Sequence, residues 1–179
     1  MIGKITTAAS AFVLSAALLA GPAGAADQSA PDMTATVKDT KGEILGTVTF
    51  SATPSGITHI VANLEGVPEG KHGFHIHETG ECDPADGFKS AGGHYTGGME
   101  HGILAKGGPH AGDLPNVHVA NDGIVAVEVF TATISTDANG SNPLADADGS
   151  AVMIHSGPDD YTSQPAGAAG DRIACGVIE

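Results

Sequence analysis

Short segments rich in β-branched residues, separated by turn residues, constrain the fold of this chain most strongly. Gly, Pro, Asp or Asn bounds each segment, and no apolar stretch keeps a 3.6-residue period after residue 25. Together with 26 glycines in 179 residues, this pattern predicts an all-β chain folded as an antiparallel sandwich or barrel. We expect eight strands, at residues 34–37, 44–50, 57–64, 72–77, 116–120, 124–134, 151–155 and 173–178.

Two of the predicted connections, 78–114 and 156–171, are too long for hairpin turns. Long loops on a rigid β scaffold are where functional residues usually lie. The length gives no reason to expect two domains, and the sequence contains no internal repeat. We therefore expect one domain over residues 33–179, with its functional residues in these two loops.

The N-terminal residues have the pattern of a secretory signal peptide. Lys4 is followed by an apolar run over 8–20 and then by Ala23-Gly24-Ala25, which predicts cleavage after Ala25 and a short tether over 26–32. A membrane anchor is the alternative, but the apolar run is shorter than the roughly 20 residues that span a bilayer. The pattern predicts export to the periplasm or an equivalent oxidising compartment, with no membrane association after cleavage.

The two cysteines, Cys82 and Cys175, both lie in the exported part of the chain. In an oxidising compartment a disulfide is the expected state, and two unrelated buried thiols are the alternative. A bridge that closes so long a loop restrains the unfolded chain by roughly 4–5 kcal/mol in the chain-entropy treatment.

The formal net charge of −14 argues against nucleic acid or an anionic membrane as a partner. It would also repel an anionic substrate, so an enzyme for such a substrate needs a local positive site. Arg172 is the only arginine of the chain, and no lysine follows Lys106. Arg172 is therefore the candidate for that positive site, with a surface ion pair to Asp171 as the alternative.

Most of the nine histidines fall in or beside the two long loops. His75 and His77 are two apart on a predicted strand, so both imidazoles project from one face towards one metal while Ile76 faces the core. Such a pair is weak evidence alone, because surface strands produce it by chance. His155, at the end of another predicted strand, is by itself a structural histidine.

A second set of candidate ligands lies in one glycine-rich stretch. His94, His101, His110 and Asp113 supply the three nitrogens and one oxygen that suit a closed tetrahedral zinc site. A solvated polar loop is the alternative. Because few apolar residues support this stretch, a metal is a reasonable device for ordering it.

Five segments, at 70–78, 90–94, 109–116, 153–155 and 170–178, together resemble the copper/zinc superoxide dismutase family, in order over nearly the whole predicted domain. The resemblance implies a Greek-key β-sandwich or flattened eight-stranded barrel. It also implies disproportionation of superoxide to oxygen and hydrogen peroxide by a redox-cycling copper bridged to a structural zinc, with one copper and one zinc ion per subunit.

The resemblance further implies a role for individual residues. His94 bridges the metals and couples electron transfer to proton transfer, Arg172 attracts superoxide, and Asp159 links ligand histidines of the two metals. We read His72 as a hydrogen-bonding support, and His59, His118 and Asp160 as ordinary surface or strand residues. The implied copper ligands are His75, His77, His94 and His155, the zinc ligands are His94, His101, His110 and Asp113, and the disulfide is Cys82–Cys175.

The chain also departs from the family pattern. Tyr95-Thr96-Gly97-Gly98 follows the bridging histidine where many members have Asn-Pro, so Tyr95 shapes the loop or simply packs. The stretch 156–171 lacks the lysines that guide superoxide in some members.

Two alternatives to the enzyme stay open on the sequence. A periplasmic copper/zinc carrier without turnover would favour exposed, labile ligands, and a structural sandwich module would need no histidine set. A homodimer is possible, since some members of the family pair and others are monomers.

Overall fold

The computed structural model describes residues 32–179, together with Met1 and Gly3. The expected signal peptide and most of the expected tether therefore lie outside the described residues. The described part is all-β, as predicted, with two one-turn 3₁₀ helices at Pro84–Asp86 and Lys89–Ala91. The strands are β1 (Met33–Asp39), β2 (Ile44–Ala52), β3 (Thr58–Leu64), β4 (Gly70–His72), β5 (Phe74–His77), β6 (Val117–Val119), β7 (Val125–Thr131), β8 (Ser150–His155) and β9 (Arg172–Ile178).

Seven strands form one antiparallel sheet in the order β5-β8-β9-β1-β2-β3-β7, and β4 pairs with β6 in a second sheet. The neighbours β3–β7 and β5–β8 are far apart in sequence, so long connections cross the ends of the sheet in the Greek-key manner. β6 contacts β7 at one edge of the large sheet, and β4 continues into β5 at the other. The two sheets therefore curl around a shared core. No helix in the described residues has the length and apolarity needed to cross a membrane.

Gly73 divides one predicted strand in two, which is why the structure has nine strands instead of eight. Its N–H donates to the carbonyl of Gly157 (2.8 Å), and its own carbonyl accepts from the N–H of His155 (2.9 Å). A Cβ at this position would lie 2.9 Å from both Cβ of Ala169 and Cε1 of His75. Only glycine fits here, and the break places His72 and His75 in different sheets.

Alternating residues of the strands fill the main core, as period-two patterning requires. Fully buried examples are Ala35, Val48, Phe50, Ile60 and Leu64. Each large apolar side chain buried in this way contributes roughly 1.5–3 kcal/mol. These side chains form one continuous apolar core beneath the sheet.

Phe130 interrupts the polar face of β7, and the structure provides the reason. Its ring is 63% exposed and stacks on the imidazole of His59 in the neighbouring strand, with 4.7 Å between ring centroids. The paired rings cover each other on the outer face of the sheet.

The predicted disulfide between Cys82 and Cys175 is confirmed, with 5.8 Å between the Cα atoms. It lies in a small apolar cluster with Phe88 and Met153, separate from the main core. The disulfide thereby fastens the long loop after β5 to strand β9.

Candidate metal centre

Several backbone hydrogen bonds join the loop over 78–114 to β5. The carbonyl of Ile76 accepts from the N–H of Tyr95, and the N–H of Ile76 donates to the carbonyl of Gly112, both at 2.9 Å. Backbone bridges at this edge pair His77 with His94 and His75 with Asp113. Loop ligands and strand ligands thus lie side by side, although up to 38 positions separate them in sequence.

Two groups of candidate ligands result, and His94 belongs to both. Within each group the ligand atoms lie within 4.8 Å of one another, and the six histidines are at most 5% exposed. Each group could hold one metal ion. The first is His75, His77, His94 and His155, and the second is His94, His101, His110 and Asp113.

The second group has the spacing of a tetrahedral site. The Nδ1 atoms of His94, His101 and His110 lie 3.1, 3.1 and 3.2 Å from Oδ1 of Asp113. A tetrahedral centre with bonds of about 2.0 Å spaces its ligand atoms about 3.3 Å apart. The donor set and its spacing therefore fit zinc.

The first group contains buried nitrogens that have no hydrogen-bond partner. Nε2 of His77 lies 3.4 Å from Nε2 of His155, while Nδ1 of His75 and Nε2 of His94 are buried and unpaired within residues 32–179. Leaving such atoms unpaired costs free energy. A metal ion can be their partner, because an imidazole nitrogen donates its lone pair to a metal. Four imidazoles around one point fit copper.

Hydrogen bonds on the far side of the rings orient these ligands. Nδ1 of His77 donates to the carbonyl of Gly92 (3.1 Å), and Nδ1 of His155 donates to that of Gly170 (3.4 Å). Nε2 of His75 donates to Oδ2 of Asp159 (2.8 Å). Because one nitrogen of each ring donates outwards, the other keeps a free lone pair directed at the group.

Asp159 joins the two groups. Its Oδ2 accepts from His75, and its Oδ1 accepts from Nε2 of His101 (3.0 Å). The side-chain amide of Asn116 in turn holds the backbone of Asp159 through two bonds of 2.8 Å. Asn116 was not predicted from the sequence, because no local signal marks a contact 43 residues away.

The ionisation of these groups favours metal binding. Burial lowers the pKa of His75 to about 4 and that of His155 to about 3. Burial alone would raise the pKa of Asp159, but hydrogen bonds from His75 and His101 hold it well below its usual range. Imidazoles that are neutral and a carboxylate that is ionised at neutral pH form the state that coordinates metal and orients its ligands.

His72 lies behind the first group between two carbonyl oxygens. Nδ1 is 2.7 Å from the carbonyl of His155, and Nε2 is 2.8 Å from that of Pro68. A carbonyl oxygen can only accept, so both bonds form together only when both ring nitrogens carry hydrogen. His72 thus connects the backbone of a candidate ligand to the turn before β4.

Arg172 binds two carbonyl groups of the loop, and no ion pair with Asp171 exists among the described residues. Nη1 donates to Phe88 and Nη2 donates to Gly92, both at 2.6 Å. Gly92 has a φ of +72°, which directs this carbonyl to both Arg172 and His77.

Arg172 shares a surface pocket with a second cation. The exposed Lys89 lines the same surface pocket, together with Asp86 and Asp171. Lys89 was not predicted from the sequence, because this lysine precedes the ligand histidines of the loop and approaches Arg172 only through folding.

The remaining singled-out residues belong to neither group. The hydroxyl of Tyr95 donates to the carbonyl of Pro143 (3.1 Å) and its ring packs against the core, so Tyr95 both packs and anchors the loop. Asp160 is exposed and its side chain bonds only within its own turn, and His118 is exposed on β6.

Comparisons with known proteins agree with this geometry. The family model described as copper/zinc superoxide dismutase matches residues 44–178. Superoxide dismutase [Cu-Zn] 2 of Aquifex aeolicus is 47% identical over 142 residues, which are 78% of this chain and 82% of the relative.

Two solved structures have the same fold. A double mutant of a superoxide-dismutase-like protein from Bacillus subtilis has a TM-score of 0.76 at 36% identity, covering 80% of this chain and 94% of the other. The Cu/Zn superoxide dismutase of Brucella abortus has a TM-score of 0.64 at 35% identity, covering 82% and 98%. With two histidine-rich groups that fit copper and zinc, this chain belongs to the copper/zinc superoxide dismutase family, the enzymes that disproportionate superoxide.

Proposed function

We propose that the first ligand group holds the catalytic copper of this superoxide dismutase and the second holds its structural zinc. The observation that carries this assignment is the shared ring of His94, whose Nδ1 lies in the tetrahedral group and whose Nε2 is a buried, unpaired nitrogen. The four-imidazole set suits copper, and the set with a carboxylate suits zinc. When bound, copper supplies the redox chemistry by alternating between two oxidation states.

The chain's own residues would bind superoxide and handle its protons. Arg172 places its guanidinium beside the first group, on the carbonyl of Gly92 that also orients His77, and would supply positive potential for an anion there. His94 would hold its ring between the two metals and take up a proton at Nε2 for delivery to the reduced substrate. Asp159 keeps His75 and His101 in the tautomers that leave their inner nitrogens free.

A carrier without turnover is less consistent with this site. A carrier needs ligands that exchange readily, whereas these histidines are buried and their outer nitrogens are hydrogen-bonded. The cysteines, which would favour Cu(I), are joined in a disulfide.

The proposed setting is the periplasm, with the mature domain over residues 33–179 after cleavage of the signal peptide. The disulfide supports an oxidising compartment. The net charge of −14 supports the absence of nucleic-acid or anionic-membrane partners. The proposed assembly is a homodimer.

The deciding experiment measures superoxide dismutation by the purified mature chain together with its copper and zinc content, before and after copper reconstitution. We expect activity in proportion to copper occupancy, at one copper and one zinc per chain. A folded, fully copper-loaded but inactive protein would favour the carrier.

A further inference from the structure

The backbone of His101 is paired with the side chain of Gln164. The N–H of His101 donates to Oε1 of Gln164 (2.9 Å), and Nε2 of Gln164 donates to the carbonyl of His101 (2.8 Å). The two residues are 63 positions apart and lie on the two long loops. The side-chain amide therefore satisfies both backbone groups of one residue, as a neighbouring strand would.

This pairing has no substitute in the structure. His101 is completely buried, and within residues 32–179 no other group bonds its N–H or its carbonyl. Buried peptide groups without partners are costly, so losing the amide of Gln164 would expose or displace the His101 backbone.

The ring and the backbone of His101 are held by different parts of the chain. Nδ1 lies against Asp113 of the second ligand group, and Nε2 donates to Asp159. Close by, the N–H of Leu104 donates to the carbonyl of Tyr161 (3.1 Å). These contacts fasten the ligand loop to the stretch 156–171, which connects His155 with Arg172.

We propose that Gln164 is a positioning residue for the second metal group. Through its two hydrogen bonds, Gln164 couples zinc binding at His101 to order in the stretch 156–171. This inference rests on the assignment of zinc to that group. Since the stretch carries Asp159 and ends at Arg172, its order determines how both are presented to the first group. Zinc would thereby prepare the substrate side of the site as well as hold the shared imidazole.

The test uses the full mature chain, stripped of metal, with Zn²⁺ or Co²⁺ alone as the probe. Gln164→Leu and Gln164→Ala remove both bonds. Ser163→Ala is the matched control, because it removes a side-chain bond to Asp160 in the same stretch without touching His101. The readouts are zinc affinity against a chromophoric chelator, the Co²⁺ absorption spectrum, and hydrogen exchange of peptides covering 156–171 with and without Zn²⁺.

We expect zinc affinity to fall roughly ten-fold in both Gln164 variants, as the loss of one to two hydrogen bonds predicts. The Co²⁺ spectrum should change, and Zn²⁺ should no longer protect 156–171, while the control matches the wild type. Thermal unfolding of the metal-free variants should remain cooperative but at a lower Tm than the wild type, because two buried peptide groups of His101 lose their partner.

Wild-type zinc affinity and wild-type protection in both Gln164 variants would overturn the inference. A wild-type chain in which Zn²⁺ binds elsewhere would instead remove the zinc assignment itself, so the two failures are distinguishable.

Discussion

Replacing Asp159 by asparagine should weaken copper binding more than zinc binding. The carboxylate is fully buried, and its Oδ1 accepts from His101 (3.0 Å) and from the N–H of Tyr161 (2.6 Å), whereas Oδ2 accepts only from His75 (2.8 Å). An asparagine has one accepting oxygen. The asparagine amide is best oriented with this oxygen facing the two donors, His101 and Tyr161, which turns its NH₂ group towards His75.

Two donors then face each other at Nε2 of His75, so this ring must change its tautomer or move. Either response removes the free lone pair of Nδ1 from the first group. Changing a hydrogen-bond partner of a metal ligand typically lowers metal affinity 10–100-fold, or by about 1.4–2.7 kcal/mol. We expect that loss for copper and a smaller loss for zinc.

The assay is competition of each metal against a chelator of known affinity, for the wild type, Asp159→Asn and the control Asp160→Asn. The side chain of Asp160 is exposed and bonds only within its own turn, so the Asp160→Asn variant should retain both affinities. Equal losses for the two metals, or a larger loss for zinc, would refute the orientation argument.

Three further predictions concern the charge near the site, the shared imidazole and the metal-free protein. Arg172→Glu should lower kcat/KM roughly 10–100-fold at low ionic strength, well beyond any change in copper content, because steering of an anion depends on local charge; equal turnover per bound copper would remove its guiding role. His94→Ala should abolish dismutation and lower the content of both metals, since His94 is the only one of the described residues that belongs to both groups; full activity with both metals bound would exclude the bridge. As the pH falls from 6.5 to 4, the free energy of unfolding of the metal-free protein should decrease by about 3 kcal/mol from His75 alone. In this range the His75 ring is protonated in the unfolded chain but stays largely neutral in the folded one, because burial lowers its pKa to about 4. Urea unfolding across this range tests the last prediction, which a flat profile would contradict.

The fold class and the candidate ligands were readable from the sequence because both signals are local. Period-two patterning needs only neighbouring residues, and it predicted the strands to within a few positions. The two cysteines were expected to pair from their compartment alone, and they do. The break at Gly73 was not predictable, because its cause is the approach of Ala169 from a distant loop.

For the metal site, too, some features follow from the sequence and others only from tertiary structure. Residue chemistry and the ordered motifs of the sequence are enough to indicate two metals and to identify their candidate ligands. Only tertiary structure brought Lys89 to the pocket of Arg172, Asn116 to Asp159 and Gln164 to His101. Such contacts join loops that are 43 to 83 residues apart, and their distances depend on how those loops dock on β5 and β9. Local sequence determines which groups are available to bind metal, whereas packing determines which nitrogen of each ring remains free to do so.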